Sequence, residues 1–221
     1  MNRTRIKICG LTRMDDARAA VAAGVDAIGL VFAPSKRQIS TVLASDILLM
    51  VPPFVSVIGV FVDEAVERII QHVVELGLHG VQLHGEESFE TCAHLRQVLP
   101  KGVSIIRRVR VSPNDSPDTL AERLAEDGWE DALLDPGAGD GRPFAWGIAA
   151  RLSVGHPDAP AGAARIFLSG GLTPENVGEA IRIVRPYAVD VSSGVEESPG
   201  RKSAERICAF VAAVRAADSS R

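Results

Sequence analysis

Cysteine is scarce: the 221 residues hold three, Cys9, Cys92 and Cys208, with no C-x-x-C pair among them. Such spacing writes neither a disulfide framework nor a zinc site, and the reducing cytoplasm is the expected compartment. A membrane-spanning run of about 20 apolar residues is also missing. The longest charge-free stretches are short, and the one ending at Val62 is interrupted by Pro52 and Pro53. The N-terminus, MNRTRIKICGLTR, carries charge and soon breaks its apolar run, so no secretory core is expected and the mature chain is expected to start near Met1. An excess of positive charge is lacking as well: 24 Lys+Arg face 28 Asp+Glu, a net −4. No basic stripe offers itself to a phosphate backbone, so neither nucleic acid nor a membrane is an expected partner, while a small anionic substrate stays compatible with a locally positive site. The dinucleotide fingerprint G-x-G-x-x-G is absent after the first apolar run, which continues as CGLTRMDD. His72, His79, His94 and His156 are scattered, and no group of histidines and carboxylates has metal-ligand spacing.

What the chain does have is a repeated alternation of short runs rich in Val, Ile and Leu with longer amphipathic segments. The runs are Arg5 to Cys9, Val25 to Phe32, Val55 to Phe61, His79 to Leu83, Val103 to Val109, Asp131 to Asp135, Arg165 to Ser169 and Ala188 to Ser192. Helical periodicity lies between them over Glu64 to Leu76, Glu86 to Leu99, Pro174 to Val184 and Arg201 to Ala217. Several runs are apolar on both faces, as VSVIGVF is, which suits parallel strands covered by helices on one side and a packed interior on the other. The expected fold class is α/β, a (β/α)₈ TIM barrel that uses residues 1–221 as one domain. An open doubly wound sheet is the alternative, and the missing fingerprint argues against it.

A barrel places its chemistry at the carboxyl ends of its strands. Alternation puts Lys7 and Cys9 on one face of their strand and Ile6 and Ile8 on the other, so an ammonium and a thiol point inward together. A buried lysine needs a counter-charge, and Asp190 has the parity to supply it. The ammonium is expected to lower the thiol's pKa toward neutrality and make Cys9 a general base; a buried, inert cysteine is the plainer alternative. Asp135 ends the sixth run before Pro136 and Gly137, where it is either a turn cap or an acid facing Cys9 across the mouth. The turns SGGLTPEN and SSGVEESPG follow the last two runs and aim backbone N–H groups at one spot. Gly170, Gly171, Ser193 and Gly194 are therefore expected to bind phosphate. Arg37 suits a bidentate carboxylate, and His84 ends the fourth run as a substrate contact or a structural residue.

In order along the chain, KICGLT, VFAPSKRQIS, VIGVFVDE, VQLHGEE, LLDPGAGDGRPFAW, LSGGLTPENV and VDVSSGVEESPGRK resemble the phosphoribosylanthranilate isomerase family of tryptophan biosynthesis. The resemblance runs from the first strand to the last helix. It implies an Amadori rearrangement of N-(5-phosphoribosyl)anthranilate to the 1-deoxyribulose 5-phosphate derivative, with no cofactor and no metal, in a cytoplasmic monomer or homodimer. It also implies that Cys9 is the base, Asp135 the acid, Arg37 the partner of the anthranilate carboxylate, and Gly170-Gly171 and Ser193-Gly194 the phosphate loops. The family's Gly-x-Gly-Lys-x-Phe-Asp-Trp loop stands here as GDGRPFAW, with Arg142 for the lysine and Ala145 for the aspartate. Following Asp135, this loop is expected to act as a mobile lid. Two other readings share the phosphate loops: a catalytically silent barrel that binds a phosphorylated metabolite, and an isomerase or epimerase of another sugar phosphate.

Overall fold

The computed structural model describes residues 3–112, 114–126, 130–136, 146–153 and 164–220. Eight parallel strands close into a barrel in chain order. They are β1 Arg5–Cys9, β2 Ala27–Val31, β3 Ser56–Phe61, β4 Gly80–Leu83, β5 Ser104–Arg110, β6 Asp131–Asp135, β7 Arg165–Leu168 and β8 Ala188–Val191. The ring closes where β8 pairs with β1, Asp190 opposite Lys7 and Val191 opposite Ile8. An open doubly wound sheet has two free edges, whereas each of these eight strands has a neighbour on both sides. Between and after the strands lie α1 Met14–Ala23, α2 Thr41–Met50, α3 Val66–Leu76, α4 Phe89–Val98, α5 Pro117–Glu126, α6 Trp146–Ala150, α7 Val177–Val184 and α8 Ala204–Ser219.

Three helix starts are set by serine caps, which satisfy backbone N–H groups that have no acceptor within the first turn. Ser40 accepts from Leu43, Ser88 from Thr91 and Ser203 from Arg206. The periodicity starting at Glu86 and Arg201 therefore begins too early. Between β8 and α8 the chain makes a 3₁₀ turn, Ser193–Val195, and a small antiparallel pair, β9 Glu196–Ser198 with β10 Arg201–Lys202. Arg201 and Lys202 thus belong to a strand, and α8 waits for the Ser203 cap. Similarly α7 starts after Asn176, whose side chain accepts from Thr173 N–H and donates to Gly171 O, holding 173–176 as a turn.

Strand alternation sorts the barrel into two apolar regions. Outward residues such as Ile6, Ile8, Leu30, Val81 and Leu83 are buried with helical Ala17, Ile69, Val73, Leu95 and Phe210. Each such buried large side chain stabilises the fold by ~1.5–3 kcal/mol relative to exposure. Inward, Ile58, Ile106 and Leu133 pack with Ala27 and Phe167 into a separate plug. The plug fills the interior, so the cavity that carries chemistry is confined to the strand ends. Among the described residues no helix is long and apolar enough to cross a membrane.

Candidate active site

Cys9, Arg37, His84, Asp135, Gly170, Gly171 and Ser193 border one cavity of about 340 Å³ at the carboxyl end of the barrel. Gly194 borders an adjoining recess that shares Gly171 and Ser193 with it. The candidate residues thus come from six strand ends and converge on one place, which their spread from position 9 to position 194 hides in the sequence. Arg142 and Ala145 of the GDGRPFAW segment, and with them the expected lid, lie outside the described residues.

β1 carries Lys7 and Cys9 inward. Lys7 Nζ lies 3.0 Å from Asp190 Oδ1 and donates to Gln82 Oε1 at 2.9 Å, and Lys7, Gln82 and Asp190 are all buried. The ammonium also stands beside the thiol: a Cβ placed on Gly29 would lie 2.7 Å from Cys9 Sγ and 3.0 Å from Lys7 Nζ. The expected fall of the thiol's pKa does not occur. Burial pushes the Cys9 thiol up; Lys7 opposes this, and Asp190 reinforces it. Burial is the larger effect, and Asp190, the counter-ion of Lys7, adds to it.

Asp135 ends β6 with two nitrogen groups near the same oxygen, neither close enough for a finished hydrogen bond. His84 Nε2 is 3.4 Å and Arg108 Nε 3.5 Å from its Oδ2. On the other side of the imidazole, Gln82 Nε2 is 3.2 Å from His84 Nδ1. His84 is therefore a neighbour of the carboxyl group as well as part of the cavity wall, and Asp135 is more than a turn cap before Pro136.

Arg37 makes a bidentate pair with a protein carboxylate: Nε donates to Glu196 Oε1 at 2.7 Å and Nη2 to Oε2 at 2.8 Å. Lys202 Nζ donates to the same Oε1 at 2.8 Å, and to Ser192 O and Oγ at 3.1 and 3.2 Å. Neither Glu196 nor Lys202 was singled out in the sequence, because the segment that holds them was read as turn and helix. The signal available was parity with polar neighbours in a Gly-rich turn, which cannot specify a partner 159 residues away. Burial disfavours the Glu196 charge, but hydrogen bonds from Arg37 and Lys202 outweigh it and hold the carboxyl below its ordinary range. A depressed folded-state pKa contributes stability that is present above the unfolded carboxylate range and is lost as pH falls through the folded value. Glu196→Gln strands the fully buried Lys202 head, and removing one partner of a buried pair costs about 3–5 kcal/mol. Denaturant titration at neutral pH is expected to show that loss, and the gap to wild type is expected to narrow as the solution is acidified.

The two Gly-rich turns face the cavity from β7 and β8. Gly170 and Gly171 have φ of 82° and 68°, left-handed values that suit residues without a Cβ. The backbone N–H groups of Gly170, Gly171, Ser193 and Gly194 have no acceptor among the described residues. Gly194 is packed directly against the Leu172 carbonyl, so a Cβ there would collide with backbone. Gly194→Ala must push the two turns apart. The expected result is a KM raised about tenfold, which corresponds to ~1.4 kcal/mol of lost binding, with kcat much less affected; steady-state kinetics read the split.

The geometry has counterparts among known proteins. The family described as N-(5'phosphoribosyl)anthranilate (PRA) isomerase matches residues 6–213. An N-(5'-phosphoribosyl)anthranilate isomerase of Herminiimonas arsenicoxydans is 41% identical over 231 aligned positions, covering 100% of this chain and 96% of that protein. The crystal structure of phosphoribosyl anthranilate isomerase from Thermotoga maritima superimposes with a TM-score of 0.82 at 39% identity, covering 96% of this chain and 99% of that one. A second crystal structure, of the isomerase in complex with reduced 1-(o-carboxyphenylamino)-1-deoxyribulose 5-phosphate, gives 0.80 at 38% identity with the same coverage, 96% and 99%.

Proposed function

The chain belongs to the N-(5'-phosphoribosyl)anthranilate isomerase family, and from that premise we propose how its own residues carry the reaction. The activity is the ketol isomerisation of N-(5'-phosphoribosyl)anthranilate to 1-(2-carboxyphenylamino)-1-deoxyribulose 5-phosphate in tryptophan biosynthesis. The phosphate sits on the backbone N–H groups of Gly170, Gly171, Ser193 and Gly194, whose dipoles fix it. At the other end Arg37, with one edge held by Glu196, turns its remaining Nη1 donor to the anthranilate carboxylate. These two anchors stretch the sugar between Cys9 and Asp135, with His84 alongside the ring.

Asp135 protonates the ring oxygen, the C1′–O bond breaks as the anilino nitrogen lone pair moves in, and a protonated Schiff base results. That cation appears next to Cys9 and favours its thiolate, the thiol proton having passed to solvent through the open cavity, and so supplies the positive partner that Asp190, by pairing with Lys7, withholds from the thiol. The Cys9 thiolate then removes the C2′ proton, electrons flow to nitrogen, and the enolamine formed tautomerises to the ketone. Placing base and acid on opposite sides of one anchored sugar replaces a bimolecular encounter by a positioned transfer.

The observation that carries this reading is that Cys9, Asp135, Arg37 and both phosphate turns open on the same cavity. Its test is turnover of substrate generated in situ, followed as loss of anthranilate-type fluorescence. Wild type is expected to turn over, with both Cys9→Ser and Asp135→Asn nearly inactive. Full activity in both variants would overturn the assignment, and an inactive wild type would favour a silent phosphate-binding barrel. We also propose that the enzyme works in the cytoplasm as a single barrel domain.

A further inference from the structure

A continuous line of polar groups crosses the barrel from the Lys7–Asp190 pair to Asp135. Its direction can be worked out from valence alone. Lys7 Nζ has donors and no acceptor, and it is held by Asp190 on one side and 2.9 Å from the Gln82 amide on the other. Only the amide oxygen can face it. The Gln82 orientation is therefore fixed: Oε1 points to Lys7, and the NH₂ group points to His84 Nδ1 at 3.2 Å. An NH₂ group is a donor, so Nδ1 must be the accepting nitrogen. A ring that accepts at Nδ1 carries its one proton on Nε2, and Nε2 is the atom 3.4 Å from Asp135 Oδ2.

We propose that Gln82 is a positioning residue for the acid step: held in one orientation by Lys7, it fixes His84 as the Nε2–H tautomer, which donates to Asp135 Oδ2. Arg108 Nε approaches the same Oδ2 from β5 at 3.5 Å. Oδ2 therefore faces two N–H groups, while Oδ1 lies on the side of the Gly170 turn. The spacing between His84 and Asp135 is long for a finished hydrogen bond. Catalytic contacts of this kind shorten when substrate is bound. The inference rests on Asp135 being the acid, and it adds how the imidazole beside that acid is held in one tautomer, with its N–H turned to the carboxylate left after the proton is given up. It also gives the buried Lys7–Asp190 pair a purpose beyond stability: it is the fixed end from which every later donor and acceptor in the line is determined. With Gln82 only 1% exposed, water has little room to substitute for the amide.

The test has two arms. In the first, ring-nitrogen NMR of wild type labelled at histidine, with the His84 signals assigned by their loss in His84→Asn, is expected to show protonated Nε2 and unprotonated Nδ1 at neutral pH. A His84 that is protonated at Nδ1 overturns the proposal without any variant of Gln82. In the second, Gln82→Met keeps the volume and removes both amide contacts. Its His84 is expected to lose the single tautomer. Its kcat is expected to fall by about tenfold to a hundredfold, the scale on which outer hydrogen-bond partners of functional histidines act, with KM little changed because the phosphate and carboxylate anchors are intact. A folded Gln82→Met with wild-type kcat overturns the proposal. Asp135→Asn run in the same assay separates the two levels. If it is nearly inactive while Gln82→Met is fully active, the positioning idea falls and the acid assignment stands; if it is fully active, both fall.

Discussion

Cys9→Ser is expected to lower kcat by ~10²–10⁴, the contribution of a positioned general base, while leaving KM close to wild type. Serine fills nearly the same space beside Lys7 and Gly29, so the loss reports chemistry and not packing. Its hydroxyl is a far weaker acid than a thiol and offers almost no anionic base at any working pH. The pH profile sharpens the expectation. Because burial pushes the Cys9 thiol up, the thiolate fraction of the free enzyme grows as pH rises. The wild-type kcat/KM should therefore climb with pH and inflect above the ordinary thiol range, and this limb should vanish in Cys9→Ser. Rate measurements across a pH series check both parts. A profile that is already flat at neutral pH would mean that Lys7 outweighs burial and Asp190 together.

Asp135→Asn should cost a comparable factor, again ~10²–10⁴ in kcat for loss of a general acid, by a different route. Asparagine keeps the shape of the carboxyl and can still meet His84 and Arg108, but it has no proton to give to the ring oxygen. Ring opening, not proton abstraction, then limits the rate. Stopped-flow mixing of preformed substrate with this variant should find the substrate bound through its phosphate and carboxylate and slow to react. A variant whose KM rises steeply with kcat preserved would instead make Asp135 a binding residue.

The barrel was readable because its two periodicities are independent of distance along the chain. Alternation in RIKIC is enough to send Lys7 and Cys9 inward and Ile6 and Ile8 to the helices, and the same rule pairs Asp190 with Lys7. The convergence of Cys9, Asp135 and the two Gly-rich turns follows from the barrel itself, since every parallel strand ends on the same rim. What alternation does not provide is the sum of charges at a point. Lys7 alone lowers a thiol's pKa, Lys7 with Asp190 in a dry interior does not, and the outcome depends on burial that no sequence pattern measures. Glu196 escaped for another reason: its partners are Arg37 and Lys202, and Lys202 sits in a two-residue strand too short to leave a periodic trace. Gln82 left a trace that went unused. It shares the face of His84 in VQLHG, and an inward amide in an otherwise apolar strand has to find partners inside.

The account as a whole says that a thiol and a carboxyl group act in succession on one anchored sugar, and a primary isotope effect at C2′ tests this most directly. With substrate deuterated at that carbon, Cys9→Ser, in which proton abstraction limits, is expected to show a full primary effect. Asp135→Asn, in which ring opening limits, is expected to show almost none. The same isotope effect in both variants, or a larger one in Asp135→Asn, would contradict the division of labour between the two residues.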